Sequence, residues 1–304
     1  MKQVRSTTLS SSFIEEFTYF IDSLGIDYSL SSDGVFLEFI FSKHNLRVIP
    51  VELCACLLSA VPTPIPDYAS DSVSASDSNS APACAYLSAP AIETIFLYED
   101  RWRSKNELVK SRLKAHLGVV KRVFARNCIV KEISVERARE FLDKTHVYGY
   151  AKSKYRYGLF RKGGDELLAV STFSFGRPMN RDGRVLQSYE WVRYASLPDN
   201  RVVGGMGKVM ERFIQDVSPD EIMSYADREW SEGKTYLKLG FEKRGEIPPI
   251  EFCIDTHSYE RISRKKIDSD RAFDGKYSEE ERANMPVVHN LGSIKYIFRP
   301  WCQG

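Results

Sequence analysis

Three stretches of this 304-residue chain hold groups suited to chemistry. The first is Val203-Gly204-Gly205-Met206-Gly207-Lys208, after a predicted strand and at the start of a predicted helix. A glycine loop there offers backbone N–H groups and the positive end of a helix to a diphosphate. The same run also reads as a tight turn that glycine permits before an ordinary helix. The second is Ser224-Tyr225-Ala226-Asp227, which sets a carboxylate at the carboxyl end of a predicted strand. That end faces the usual ligand crevice of an α/β sheet. Asp227 could orient a nucleophilic amine or accept its proton; equally, it could cap the turn that follows. The third is His146, which closes a predicted helix. A lone histidine there is ordinarily a cap or a dipole partner; facing the same crevice as Asp227, it could also take a proton.

Charge supplies two further candidates. Between Arg101 and Arg126 stand nine Lys or Arg residues against one acid, Glu107. A solvated helix face and a stripe of phosphate-backbone contacts both fit, with Arg101, Arg103, Lys110, Arg112 and Lys114 the contacts in the second case. Lys152, Lys154 and Arg156 interleave with Tyr155 and Tyr157. Such a mixture can hold phosphates and stack a base, or be a solvated loop whose tyrosines pack. Glu190 and Arg193 alternate with Trp191 and Tyr194 on the strand before the glycine loop and could line the same cleft.

Elements must position these groups. Phe13, Phe17, Phe20, Ile21 and Leu24 recur at helical spacing within 11–28, and Gly25 ends that helix. Strands are expected from Gly34 to Phe41 and Leu46 to Leu53. Residues 63–90 hold seven serines, four prolines and no Lys or Arg, the composition of a linker or disordered insertion. A short strand, Thr94–Tyr98, and a helix from about Ser104 to Leu117 follow. From Asn127 the expected order is strand (128–133), helix (135–146), strands (157–161, 166–174, 188–195), helix (205–216), strand (221–226), short helix (233–239) and strand (241–246). Helices following strands imply a mixed α/β sheet. A basic tail carries a helix at 278–285 and a last strand at 293–298.

Composition sets outer limits. Net charge is +2 and 43% of residues are hydrophobic, so a globular core is expected and a polybasic chain is not. No run of about 18 apolar residues suggests a membrane span, and the start shows no apolar signal segment. Cys54 and Cys56 form only a C-x-C pair without a second pair at zinc spacing, so reduced thiols in an intracellular protein, and no metal, are expected.

The glycine run and the later Tyr236-Leu237-Lys238-Leu239-Gly240-Phe241, in this order, resemble the acyl-CoA-binding half of the GNAT acyltransferases. That family's loop reads Gln/Arg-x-x-Gly-x-Gly/Ala; here Gly205-Met206-Gly207 fits its end, while Val202 stands at its leading position and Arg201 comes one residue early. The resemblance implies acetyl-CoA against Val203 to Lys208, and Tyr236 protonating the departing thiolate. A second resemblance runs collinearly over roughly 92–300. It rests on Tyr98-Glu99-Asp100-Arg101-Trp102, Lys152-Ser153-Lys154-Tyr155-Arg156-Tyr157, Val202-Val203-Gly204-Gly205, Ser224 to Ser231 and Asn290-Leu291-Gly292-Ser293. These look like the carboxy-terminal region of phage Hef-like (Vsr-type) homing endonucleases. Glu38 would then stand for the first acid of a nuclease core that lacks its second, unless Glu52 substitutes. More distantly, 127–255 is similar to Mom-type phage DNA-modification proteins, with His146 and Asp227 at matching positions.

Together these imply a degenerate nuclease remnant (1–62), a linker (63–91), a strand and basic helix (92–126), a GNAT-like domain (127–262) and a tail (263–304). The expected activity is transfer of an acyl group from acetyl-CoA to an amine on DNA, in the cytoplasm of a phage host. The alternative is a DNA-binding or DNA-nicking relative of homing endonucleases.

Overall fold

The computed structural model describes residues 12–32, 36–53, 92–181, 183–269 and 276–300. The expected linker at 63–90 lies outside them.

The amino-terminal unit starts with helix α1 (Ser12–Ser23), whose Phe13, Phe17, Phe20 and Ile21 are buried on one face. Strands β1 (Ser29–Ser32), β2 (Leu37–Phe41), β3 (Leu46–Val51) and β4 (Glu93–Tyr98) form one sheet in sequence order. The first three run antiparallel, and β4 lies parallel to β3. The segments expected as 1–62 and 92–126 are therefore joined by a strand ladder. Helices α2 (Glu99–Ser104) and α3 (Asn106–His116) follow. Trp102, Val109 and Leu113 pack with Phe17 and Phe39, and Trp230, from far along the chain, enters the same apolar cluster.

A second unit begins with β5 (Lys121–Phe124) and β6 (Cys128–Glu132). Helix α4 (Val135–Thr145) is started by Ser134, whose Oγ accepts the Arg137 N–H at 3.2 Å. Then come β7 (Tyr155–Arg161), β8 (Leu167–Phe173), β9 (Arg177–Arg181), β10 (Arg184–Ser196), β11 (Asn200–Val203) and helix α5 (Gly205–Val217). They are followed by β12 (Glu221–Asp227), α6 (Lys234–Lys238), β13 (Glu242–Ile247), β14 (Glu251–Ile254), β15 (Arg261–Ser263), α7 (Arg264–Ser269), α8 (Glu279–Asn284), β16 (Val287–His289) and β17 (Ser293–Phe298). The main sheet has the order β13-β17-β12-β10-β8-β7-β6, with β9 hairpinned onto β10. Only β10 and β12 pair in parallel along this path. The result is a mixed α/β fold. Helix α5 lays Val209, Met210 and Phe213 on this sheet, and Phe213 stacks on Phe173 at 3.9 Å.

Several elements depart from the sequence reading. Strand β17 is not part of a separate tail: it inserts between β12 and β13, burying Ile294, Tyr296, Ile297 and Phe298. Strand β11 was not expected. Its Val202 and Val203 favour extended backbone, and it pairs in parallel with β5, itself unexpected, as a two-stranded ribbon ahead of the glycine run. Strands β15, β14 and β16 form a further small sheet. Among the described residues no helix is long and apolar enough to cross a membrane.

Candidate functional site

The parallel pair at the centre of the main sheet is short. Ser188, Tyr189 and Glu190 of β10 face Glu221, Ile222 and Met223 of β12, and pairing stops there. Both strands continue, to Ser196 and Asp227, while β10 stays bonded to β8 and shifts register between Trp191 and Arg193. A bulge raises local twist and bends a strand. The two strands thus splay, leaving one edge of β10 open toward β12.

The glycine run lies just past this opening. Gly204 has φ +77°, the left-handed conformation that suits glycine at the start of α5. Among the described residues the N–H groups of Gly205, Met206 and Gly207 have no partner, and no side chain caps the helix. Close packing forbids a larger residue at 205: a Cβ there would lie 2.4 Å from Tyr194 Oη and 2.9 Å from Val202. The ends of the run behave otherwise. Val203 pairs with Phe124 in the β5–β11 ribbon, and the Lys208 N–H goes to the Gly204 carbonyl. Lys208 Nζ donates to the carbonyls of Ala125 and Cys128, at 2.9 and 2.6 Å. The expected six-residue cradle is therefore three amides, and the Lys208 ammonium does not serve it.

Tyr236 stands within the splay. Ser224 Oγ, on β12, lies 3.0 Å from the Trp191 carbonyl of β10 and 2.8 Å from the Tyr236 hydroxyl. Ser224 Oγ is the donor toward both, so Tyr236 accepts at its phenol oxygen. Tyr236 stacks on Tyr296 at 5.3 Å, and burial raises its pKa. Its hydroxyl holds its proton at neutral pH.

Asp227 ends β12 as expected. Its Oδ1 accepts the Glu229 N–H at 3.0 Å, the turn-capping role. Its Oδ2 accepts the hydroxyl of Tyr148 at 3.0 Å. Tyr148 is a residue the sequence reading passed over; its ring lies beneath the guanidinium groups of Arg101 and Arg193, at 5.0 and 5.8 Å. Arg193 also donates from Nε to the Gly149 carbonyl at 3.1 Å, fixing the loop that carries Tyr148.

His146 caps α4, its N–H going to Leu142 O at 2.8 Å. Its Nδ1 accepts the Tyr148 N–H at 3.1 Å, which assigns the proton of the neutral ring to Nε2. Burial, with Arg193 and Arg112 nearby, lowers its pKa to about 3. In this arrangement His146 is a neutral ring whose Nδ1 is already occupied by the Tyr148 N–H. A cleft of about 400 Å³ opens beside His146, lined by Arg112, His116, His146, Tyr194, Arg201 and Ser231 among others.

The expected phosphate stripe is largely spent inside the chain. Arg101 is buried against Tyr148 and Asp100. Arg103 binds Glu16 at 2.6 Å, Ser12 and Glu99. Lys110 lies over Phe20 and Trp102, and Lys114 pairs with Asp199 at 3.1 Å. Arg112 packs at 4.1 Å over Trp230 inside the cleft. Arg156 donates to the carbonyls of Ile133, Ser153 and Lys154. Lys152 and Lys154 remain exposed.

Glu38 pairs with Arg47 at 3.2 Å. Among the described residues no three His, Cys, Asp or Glu side chains gather as metal ligands. The two units are held by a buried ionic cluster. Arg261, on β15, binds Asp100 of α2 at 2.6 Å and Glu229 beyond β12 at 2.6 Å.

No protein-family model matches the chain, and no curated protein matches it in sequence. Solved structures do. A GNAT family acetyltransferase from Elizabethkingia anophelis with acetyl-CoA bound is 13% identical, with a TM-score of 0.33, over 57% of this chain and 98% of that one. The spermidine/spermine N-acetyltransferase SpeG from Vibrio cholerae is 10% identical, with a TM-score of 0.32, over 58% and 94%. A GNAT family acetyltransferase from Bacillus anthracis is 10% identical, with a TM-score of 0.31, over 57% and 95%. At such identities and scores no activity carries over, and the site is read from its own geometry.

Proposed function

We propose that this chain is an acyl-CoA-dependent N-acyltransferase, that acetyl-CoA is its donor, and that its acceptor is an amino group on DNA. One observation carries the reading: β10 and β12 part after Glu190 and Met223 immediately before the uncapped start of α5. The free edge of β10 can receive the extended arm of an acyl-CoA much as a sheet edge receives an added strand. The amides of Gly205, Met206 and Gly207 suit its diphosphate. Acetyl-CoA supplies an acyl group activated as a thioester.

The chain's own groups then divide the proton work. Asp227 accepts the proton lost by the attacking nitrogen, its Oδ2 oriented by the Tyr148 hydroxyl. Tyr236 keeps a proton at neutral pH and gives it to the departing sulfur, with Ser224 bracing the phenol. His146 donates from Nε2 and does not compete with Asp227. The DNA acceptor is supported by the resemblance to phage DNA-modification proteins and by the exposed Lys152 and Lys154. A base in a duplex would have to leave its stack to enter the cleft.

The test is calorimetry with acetyl-CoA, followed by transfer of radiolabelled acetyl groups to amine-bearing DNA. Failure to bind acetyl-CoA overturns the acyltransferase reading. Binding with no label on DNA, but label on another amine, overturns the DNA acceptor alone.

A further inference from the structure

Both carboxylate oxygens of Asp227 are held by groups that lead into the amino-terminal unit. Its Oδ1 accepts the Glu229 N–H at 3.0 Å, and the carbonyl of that same Glu229 accepts the Phe96 N–H at 2.8 Å. Phe96 lies on β4, at the edge of the amino-terminal sheet. Its Oδ2 accepts the Tyr148 hydroxyl at 3.0 Å, and the Tyr148 ring lies 5.0 Å from the guanidinium of Arg101, on α2. One residue thus stands between each oxygen of the carboxylate and an element of that unit. Arg101 is only 9% exposed, so its charge is fixed over the ring rather than free to swing into water.

The turn after Asp227 is plugged into the same unit. The N–H groups of Trp230 and Ser231 go to the Asp227 carbonyl at 3.0 and 2.9 Å. The Trp230 side chain leaves the main sheet and is 2% exposed, in the apolar cluster that holds Phe17, Phe39, Trp102 and Leu113. Arg112 lies over its indole at 4.1 Å. The chain then returns to the main sheet at α6, where Tyr236 stacks on Tyr296 of β17. The segment between the two proton-handling residues is therefore pinned midway by a side chain that the main sheet does not hold. Such pinning matters because a misplacement of about 1 Å can cost about 10²-fold in rate.

We infer that the amino-terminal unit is the positioning frame of Asp227. Trp230 and Arg101 are its positioning residues: the first acts through the turn at 227–231, the second through Tyr148. Neither touches the reacting atoms. The effect on turnover rests on the acyl-transfer reading above; the mechanical hold on the turn does not.

Two readouts on the full chain test this frame. Amide hydrogen exchange, followed by mass spectrometry, reports on residues 227–236 with α5 as the internal reference. Steady-state transfer from acetyl-CoA to amine-bearing DNA reports the turnover number and the Michaelis constant for acetyl-CoA. In Trp230→Ala the 227–236 amides should exchange at least about tenfold faster, while those of α5 hold within about twofold. Turnover should fall at least about tenfold with the Michaelis constant within about twofold, and Trp230→Phe should regain most of the loss. In an Asp227→Asn background Trp230→Ala should slow turnover by less than about twofold, because the group it positions is already gone. Arg101→Met keeps the length of the side chain and removes its charge. It should speed exchange at 146–150 and lower turnover about threefold, and it decides the matter if Trp230→Ala does not fold. Unchanged exchange at 227–236 in a folded Trp230→Ala protein refutes the frame, as do equal losses with and without Asp227. A fall in acetyl-CoA affinity that matches the fall in turnover also refutes it, because the defect would then lie with the donor. If the wild type neither binds acetyl-CoA nor transfers its acetyl group, exchange alone decides: a Trp230 dependence keeps the frame while the acyltransferase reading falls.

Discussion

The Tyr148 hydroxyl donates to Oδ2 of Asp227 at 3.0 Å, joining the loop after α4 to the end of β12. The same tyrosine presents its N–H to His146 Nδ1, so one residue sets both the orientation of the carboxylate and the tautomer of the imidazole. Replacing Asp227 with Asn keeps the turn-capping oxygen but removes the proton acceptor. Transfer should fall by roughly 10²–10⁴-fold, the range for loss of a positioned general base. Tyr148→Phe keeps Asp227 and loses only its orientation, so a fall of about tenfold is expected, on the order of one charge-assisted hydrogen bond. Steady-state kinetics on both variants checks the order; a Tyr148→Phe enzyme as slow as Asp227→Asn would give the tyrosine a direct chemical role.

Tyr236 separates donor chemistry from acceptor binding. Its hydroxyl reaches Ser224 across the splay and its ring is fixed on Tyr296. Tyr236→Phe preserves the stack, so the Michaelis constant for acetyl-CoA should hold within about twofold. The turnover number should drop about 10²-fold, within the usual span for a general acid. A donor thioester with a more acidic leaving thiol should recover part of that loss, whereas a purely structural defect would not respond to the leaving group.

Much of this arrangement was legible in the sequence, and what was not has a common cause. Phe13, Phe17, Phe20 and Ile21 announced α1, and three glycines near a strand end announced the start of α5, because both signals are local. The basic run from Arg101 left a solvated face and a phosphate stripe both open, because charge in sequence says nothing of its partner. Arg103 finds Glu16 87 residues away. Tyr148 escaped notice for the same reason, since its contact with Asp227 spans 79 residues. The insertion of β17 between β12 and β13 is likewise a non-local pairing that periodicity alone does not encode.

Gly205 offers a steric test of the loop. In Gly205→Ala the new Cβ would meet Tyr194 Oη at 2.4 Å and Val202 at 2.9 Å. The expected cost is about 1–3 kcal/mol of stability, as for overpacking elsewhere, together with weaker acetyl-CoA binding. The Tyr194 hydroxyl is buried without a hydrogen-bond partner among the described residues, and burial pushes its pKa up to about 12. Tyr194→Phe alone should therefore be neutral or stabilising. Combined with Gly205→Ala it should restore part of the lost stability, leaving the Val202 clash. Thermal unfolding of the two single variants and the double variant closes the cycle; strict additivity would show that the hydroxyl is not the obstacle.

The buried cluster of Arg261, Asp100 and Glu229 ties the amino-terminal unit to the main sheet. All three side chains are at most 2% exposed, so removing the arginine strands two carboxylates without water. Arg261→Met should cost about 3–5 kcal/mol, the usual penalty for breaking a buried ion pair from one side. Replacing all three with apolar residues should cost less than the single change, because no charge is left behind. Denaturant titration distinguishes these outcomes, and a near-neutral Arg261→Met would mean that water reaches the cluster.

Acid should weaken the fold through its cleft histidines. Burial comes first in lowering both: His116 to about 4, aided by Arg112 and Arg201, and His146 to about 3, aided by Arg193 and Arg112. In the unfolded chain each takes a proton near pH 6.5. The unfolded state therefore binds more protons between pH 6.5 and about 4, and stability falls as pH drops through that window. Each histidine adds up to ~1.4 kcal/mol per pH unit to the slope. His116→Gln should remove its share, flattening the plot of unfolding free energy against pH between 6.5 and 4 while leaving it unchanged above pH 7.5. Since Arg112 depresses both rings, Arg112→Gln should raise both pKa values and shift the acid limb to lower pH. An Arg112→Gln protein whose acid limb coincides with the wild type would place that guanidinium too far from the histidines to act on them.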